Sequence, residues 1–184
     1  CNVGEILTMV WISILGLPLP LLPIQILWVN LVTDGLPAMA LGIDPPEKDV
    51  MNRKPRGKNE NIFSQGLGKK IIYRGIIISL VTVAAFIITN IYSQSNLEMA
   101  RTAAFATLVM SQLLFVFECR SEKADTYWYN PFSNIYLTLS TILSAGMLFA
   151  VIYIPFFQPI FQTVALEKNI LFLVLGLAGL GAVI

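Results

Sequence analysis

The sequence predicts an all-α fold, a polytopic membrane helical bundle of six spans, and three observations carry that prediction. Hydrophobic residues make up 56% of the 184 positions and charged residues only 12%, where a soluble domain carries about 25%. The apolar residues gather in repeated runs close to the roughly 20 residues that a helix needs to cross a hydrocarbon core. Prolines, glycines and charges fall between those runs, where chain reversals belong.

The elements follow in order. Cys1 to Leu15 is apolar but short for a span, so it is expected to be the end of a helix that begins before Cys1; it carries Asn2 and Glu5 at i, i+3, on one face. Gly16-Leu17-Pro18-Leu19-Pro20 breaks that helix and has no charge to support a large soluble loop, which predicts a tight reversal at a membrane face. The second span, Leu21 to Ile43, returns antiparallel. A polar stretch from Asp44 to about Gly68 comes next, then a third span, Ile71 to Tyr92, behind a basic collar of Lys69, Lys70 and Arg74. The linker Ser93 to Glu98 leads to a fourth span, Met99 to Phe117, in which Arg101, Ser111 and Gln112 are polar; Glu98 and Arg101 are expected to form a surface pair. A second polar loop, Glu118 to Asn134, holds Tyr127, Trp128 and Tyr129, which suit a headgroup region. The fifth span runs from Ile135 to Ile154, closed by Pro155 and Pro159. The sixth starts near Asn169 and is expected to continue past Ile184; its Gly176, Gly179 and Gly181 permit close packing without specifying a dimer.

Alternation of six spans places every Lys and Arg except Arg101 and Lys168 on one side of the membrane. By the positive-inside rule, loops 44–68 and 118–134 are cytoplasmic in a multi-pass integral membrane protein. The lipid bilayer is the expected partner, and a net charge of +1 gives no basis for a nucleic-acid partner. The two cysteines match no metal-ligand spacing and read as free thiols, and the absence of histidine removes imidazole from any metal or acid–base role.

One stretch of the second span carries chemistry. Asn30, Thr33 and Asp34, at i, i+3 and i+4, put three oxygen-bearing side chains on one helix face at membrane depth. A carboxylate there costs about 2.5–3.5 kcal/mol unless something pairs with it, so an ion or substrate site is the expected reason for it. Gly35 weakens the helix, and Pro37 has no N–H for the carbonyl of Thr33, so a main-chain oxygen is freed beside those side chains. Together with Asn2 and Glu5 across the hairpin, the set offers carboxylate, amide and hydroxyl oxygens and no nitrogen or sulfur ligand. That is the donor set of a hard cation such as calcium.

Asn2-Val3-Gly4-Glu5, the Leu17-Pro18 turn, the run from Leu22 through Trp28-Val29-Asn30-Leu31-Val32-Thr33-Asp34-Gly35-Leu36-Pro37 to Ala38, and Asp44-Pro45-Pro46 with Asp49, Met51, Arg53, Pro55 and Arg56 closely resemble the carboxy-terminal transmembrane module of P-type calcium-transporting ATPases, of the sarco/endoplasmic-reticulum-like group in its bacterial form. The resemblance implies a chain that starts inside the fifth pump helix and runs towards the end of the tenth. It implies an ion-site hairpin at 1–43, a cytosolic coupling loop at 44–68 that contacts the phosphorylation domain, and a supporting bundle at 69–184. Asn2 and Glu5 match ligands of the fifth helix, and Asn30, Thr33 and Asp34 those of the unwound sixth. In the two-ion pumps Asp34 would serve both ions, Asn2, Glu5 and Thr33 the first, and Asn30 the second. Gln112 stands where those pumps have a glutamate in the eighth helix, so this ligand brings an oxygen and no charge, and one ion per cycle fits at least as well as two.

Calcium is the implied transported substrate. ATP and magnesium belong to the parent protein, whose first to fourth helices and cytosolic phosphorylation domain are the implied partners. No Asp-Lys-Thr-Gly-Thr sequence and no nucleotide-binding motif occurs in the chain, which leaves it no catalytic residues of its own. Two other readings stay open at this point: a P-type pump for sodium, potassium or manganese, and an ion-coupled secondary transporter, which also uses broken helices and buried carboxylates.

Overall fold

A computed structural model describes residues 2–33, 35–44, 67–120 and 134–183. Among them lie eight helices and no strand: α1 (Asn2–Ile14), α2 (Pro23–Thr33), α3 (Leu36–Gly42), α4 (Leu67–Tyr92), α5 (Leu97–Phe115), α6 (Ile135–Tyr153), α7 (Gln158–Phe161) and α8 (Lys168–Val183). Four units are long and apolar enough to cross a membrane: α2 with α3, α4, α5 with the 3-10 turn that follows it (Glu118–Arg120), and α6. The helices α1 and α8 are apolar and shorter. The fold is the helical membrane bundle that composition predicts.

Local chemistry sets the helix ends. Gly16, at φ +65°, turns the chain after α1, and the N–H groups of Gly16 and Leu17 return to the carbonyls of Ser13 and Ile12 at 3.1 Å each. This is how a left-handed glycine satisfies the last orphan carbonyls of a helix. Asn96 caps α5 by accepting from the Met99 N–H at 3.2 Å, and Asn134 caps α6 by accepting from the Leu137 N–H at 3.0 Å. The helix α4 begins four residues before the expected Ile71 and takes in the basic collar, which long, snorkelling side chains allow. The short α7 is an addition to the expected pattern; Pro159 lies in its first turn, where a missing N–H is harmless. Arg101, expected to pair with Glu98, directs its Nε to the carbonyl of Leu19 at 2.9 Å, tying α5 to the α1–α2 reversal.

The helix α5 is the centre of the bundle. Residues 102–109 are all buried, including Phe105 and Leu108, as expected of a helix enclosed on every side. The helices α4 and α8 pack along it, and α2 meets it through Trp28, whose ring lies edge-on to Phe105 at 5.6 Å and to Phe161 at 6.0 Å. The main neighbour of α1 is α4 rather than α2. Those two helices cross at Gly4 and Gly75: a Cβ on Gly75 would stand 2.5 Å from Cγ1 of Val3, and one on Gly4 would stand 3.0 Å from Cγ2 of Ile78. Small residues let membrane helices approach this closely because packing, not water exclusion, holds them together.

Candidate cation site

The site begins with a helix that stops early. The helix α2 ends at Thr33 and α3 starts at Leu36, with Pro37 in the first turn of α3. A side chain at Gly35 would run into the carbonyl of Leu31, so the chain can pass only as glycine without shifting. The last carbonyls of α2 therefore need partners from elsewhere. One has such a partner: the hydroxyl of Ser144, on α6, donates to the carbonyl of Val32 at 3.1 Å.

Glu5 lies opposite, on α1, one residue after the close crossing at Gly4. It is 5% exposed, although it is an acidic side chain in an apolar helix. Two amides from two other helices bracket its carboxylate. Gln112 on α5 donates its Nε2 to Oε1 at 3.0 Å, and Asn30 on α2 donates its Nδ2 to Oε2 at 3.4 Å. The same nitrogen of Asn30 reaches the carbonyl of Ile26 at 3.0 Å. Gln112 is 1% exposed, and its Oε1 is buried with no hydrogen-bond partner. An orphaned buried acceptor costs about 1–3 kcal/mol, and such a cost is commonly retained where a ligand relieves it.

Thr33 is buried at the end of α2, with its hydroxyl proton committed to the carbonyl of Val29 at 2.8 Å, which leaves the oxygen's lone pairs as acceptors. The structure thus joins Glu5, Asn30 and Gln112 directly and puts Thr33 one turn from Asn30. Asn2 is exposed at the start of α1 and forms no part of this group. Asp34 lies outside the described residues, as do nearly all of loops 44–68 and 118–134. Among the described residues no three acidic, histidine or cysteine side chains cluster.

Ser144 was missed by sequence reasoning. Its signal was available: it falls on the buried stripe of α6 between Leu137 and Leu148, where every other side chain is apolar.

A charged node closes the far end of α3. Arg120 meets Asp44 through two bonds of 2.9 Å each, from Nε and from Nη2, and Asn134 donates to Asp44 at 2.9 Å and to the carbonyl of Ala40 at 3.1 Å. The guanidinium beside Asp44, helped by the Asn134 amide and opposed by burial, holds its carboxyl below the usual range. Nearby, Arg74 pairs with Glu118 and lies 5.5 Å from the centre of the Phe115 ring, which joins α4 to the end of α5.

Comparison with known proteins bears on this arrangement. The family described as "Cation transporting ATPase, C-terminus" matches residues 18–184. A "Calcium-transporting ATPase" of Bacillus subtilis (strain 168) is 53% identical over 179 residues, covering 97% of this chain and 20% of the relative. "Calcium-transporting ATPase 1" of Bacillus cereus is 40% identical over 181 residues, 90% of this chain and 20% of the relative. "Endoplasmic reticulum calcium ATPase srcA" of Aspergillus fumigatus is 32% identical over 197 residues, again 90% and 20%. The chain therefore spans about a fifth of the length of the curated relatives it matches.

Proposed function

Because the chain belongs to the family of cation-transporting ATPase carboxy-terminal regions, an integral membrane module of P-type pumps, we propose that it supplies most of the ion cage of an ATP-driven calcium pump. The observation that carries the reading is the buried Glu5 carboxylate held between the amides of Asn30 and Gln112 on three separate helices, beside a broken span. Without a cation, the amide N–H groups satisfy the carboxylate. Half a turn of each amide exchanges nitrogen for oxygen and converts the same residues into a cation's ligands. The ligand set is Glu5, Asn30, Thr33, Gln112 and Asp34, all oxygen donors, which favours calcium over softer metals.

Charge sets the stoichiometry. Glu5 and Asp34 contribute −2, enough to neutralise one divalent ion at low dielectric, while Gln112 adds an oxygen and no charge. On that charge, export of one calcium ion per cycle from the cytosol fits at least as well as two. ATP, magnesium and the phosphorylated aspartate act in the part of the protein that precedes this chain. Residues 1–43 form the ion-site helices, 44–68 the coupling loop and 69–184 the supporting bundle, with loops 44–68 and 118–134 facing the cytosol by their positive charge.

The test is uptake of radioactive calcium by vesicles that contain the full pump. Glu5→Gln is expected to raise the calcium concentration for half-maximal uptake at least tenfold, and excess sodium, potassium or manganese is expected to compete poorly. Uptake by Glu5→Gln with wild-type calcium dependence would remove the site; manganese competing as well as calcium would change the ion.

A further inference from the structure

Ser140 and Thr141 on α6 bond to the carbonyl of Leu137 at 2.9 and 2.8 Å, within their own helix. Ser144, fully buried, reaches instead across to the carbonyl of Val32, 112 residues away. In a continuous helix that carbonyl would accept from the N–H of Leu36, but Leu36 opens α3 on the other side of the break. Val32 is also the residue immediately before Thr33.

The same two elements are joined again at their other end, where Asn134 donates to the carbonyl of Ala40 and to Asp44. The helix α6 thus runs antiparallel to the broken span and grips it by polar bonds at both ends of α3, while most of its remaining surface faces outward through residues such as Tyr136, Leu139, Ile142 and Leu143. In the membrane, a freed carbonyl without a donor is expensive, so a hydroxyl that serves it stabilises the opening that Gly35 and Pro37 create.

We propose that Ser144 is a positioning residue for the cation site: by holding the Val32 carbonyl it fixes the geometry of the break on which Thr33 is carried. The proposal rests on the cation-site reading given above and adds to it a residue that lies outside the ligand set. Ser144 touches no ion. Its effect is to lower the reorganisation needed when the site fills, and so to raise affinity without altering turnover at saturation.

The test uses the full pump in membrane vesicles and measures ATP hydrolysis against calcium concentration. Ser144→Ala is expected to raise the calcium concentration for half-maximal activity about three- to tenfold, the range that one net hydrogen bond commands, with kcat at saturating calcium within about twofold of wild type. Ser144→Thr, which keeps the hydroxyl, is expected to return towards wild type, whereas the alanine variant, with the Val32 carbonyl left unserved, is expected to lose some calcium-free stability as well. Wild-type calcium dependence in Ser144→Ala overturns the proposal, and so does an alanine variant whose kcat at saturating calcium falls in step with its affinity, or a threonine variant no better than alanine, because either is a merely structural role. Glu5→Gln in the same assay separates the two levels: if it loses calcium activation while Ser144→Ala is unaffected, only the positioning role fails, and if it too behaves as wild type, the cation site itself fails.

Discussion

The amide of Gln112 donates to Oε1 of Glu5 at 3.0 Å, joining two residues 107 positions apart in the chain. The bond crosses from α1 to the most enclosed helix of the bundle, where a bare carboxylate is otherwise hard to hold. A glutamine does this with a neutral donor and keeps an oxygen in reserve. A glutamate at the same place would set a second carboxylate against the first.

Gln112→Leu keeps most of the volume and removes the donor. The carboxylate of Glu5 then loses the Gln112 amide, a hydrogen bond to a charged group worth about 1.5–3 kcal/mol. The expected outcome is a lower temperature of inactivation in calcium-free buffer, measured on the full pump in vesicles. A variant as stable as wild type would show that the bond does not hold the empty site together.

Gln112→Glu changes the charge at the site from −2 to −3 if Asp34 and Glu5 are both ionised. Equilibrium binding of radioactive calcium is expected to rise from one ion per pump towards two. If binding stays at one ion, charge is not what limits the number carried.

Much of this was legible in the sequence, for physical reasons that differ by residue. A glutamate and an asparagine inside apolar runs are costly, so Glu5 and Asn30 stood out as residues that need partners, and Gly35 with Pro37 announced the break that appears between Thr33 and Leu36. The choice of neighbours was not legible. The preference of α1 for α4 rests on Gly4 and Gly75, which leave no periodic hydrophobic signal, and the bond from Ser144 to Val32 depends on a helix crossing that no local pattern encodes. Gln112 was visible only through family resemblance, since a glutamine in a membrane helix more often serves helix packing.

The α1–α4 crossing gives a stability prediction. Gly75→Ala puts a Cβ 2.5 Å from Cγ1 and 2.9 Å from Cβ of Val3, and a branched side chain fixed to a helix cannot swing away. The expected cost is about 1–3 kcal/mol, the usual range for overpacking. Val3→Ala in the same molecule is expected to recover most of it, as residues in contact do in a double-mutant cycle. Additive losses from the two substitutions would place the strain elsewhere.

The node at Asp44 gives a pH dependence whose sign can be worked out. Its carboxyl is held below the usual range first by the hydrogen bond from Arg120, with Asn134 adding to the effect and burial opposing it. A carboxylate depressed on folding contributes stability that is fully present above its unfolded pKa, about 3.9, and that disappears as pH falls through the lower folded value. Wild-type protein is therefore expected to lose thermal stability between about pH 5 and the folded value, and Asp44→Asn is expected to show less of that loss because no proton is taken up at residue 44. At neutral pH the asparagine variant leaves the nearly buried Arg120 without its bidentate carboxylate, an expected cost of about 2 kcal/mol. Thermal inactivation of the two proteins across that pH range, each normalised to its own value at pH 7, checks both halves. Parallel pH profiles would mean that Asp44 does not titrate in the window and that the guanidinium is not what holds its carboxyl down.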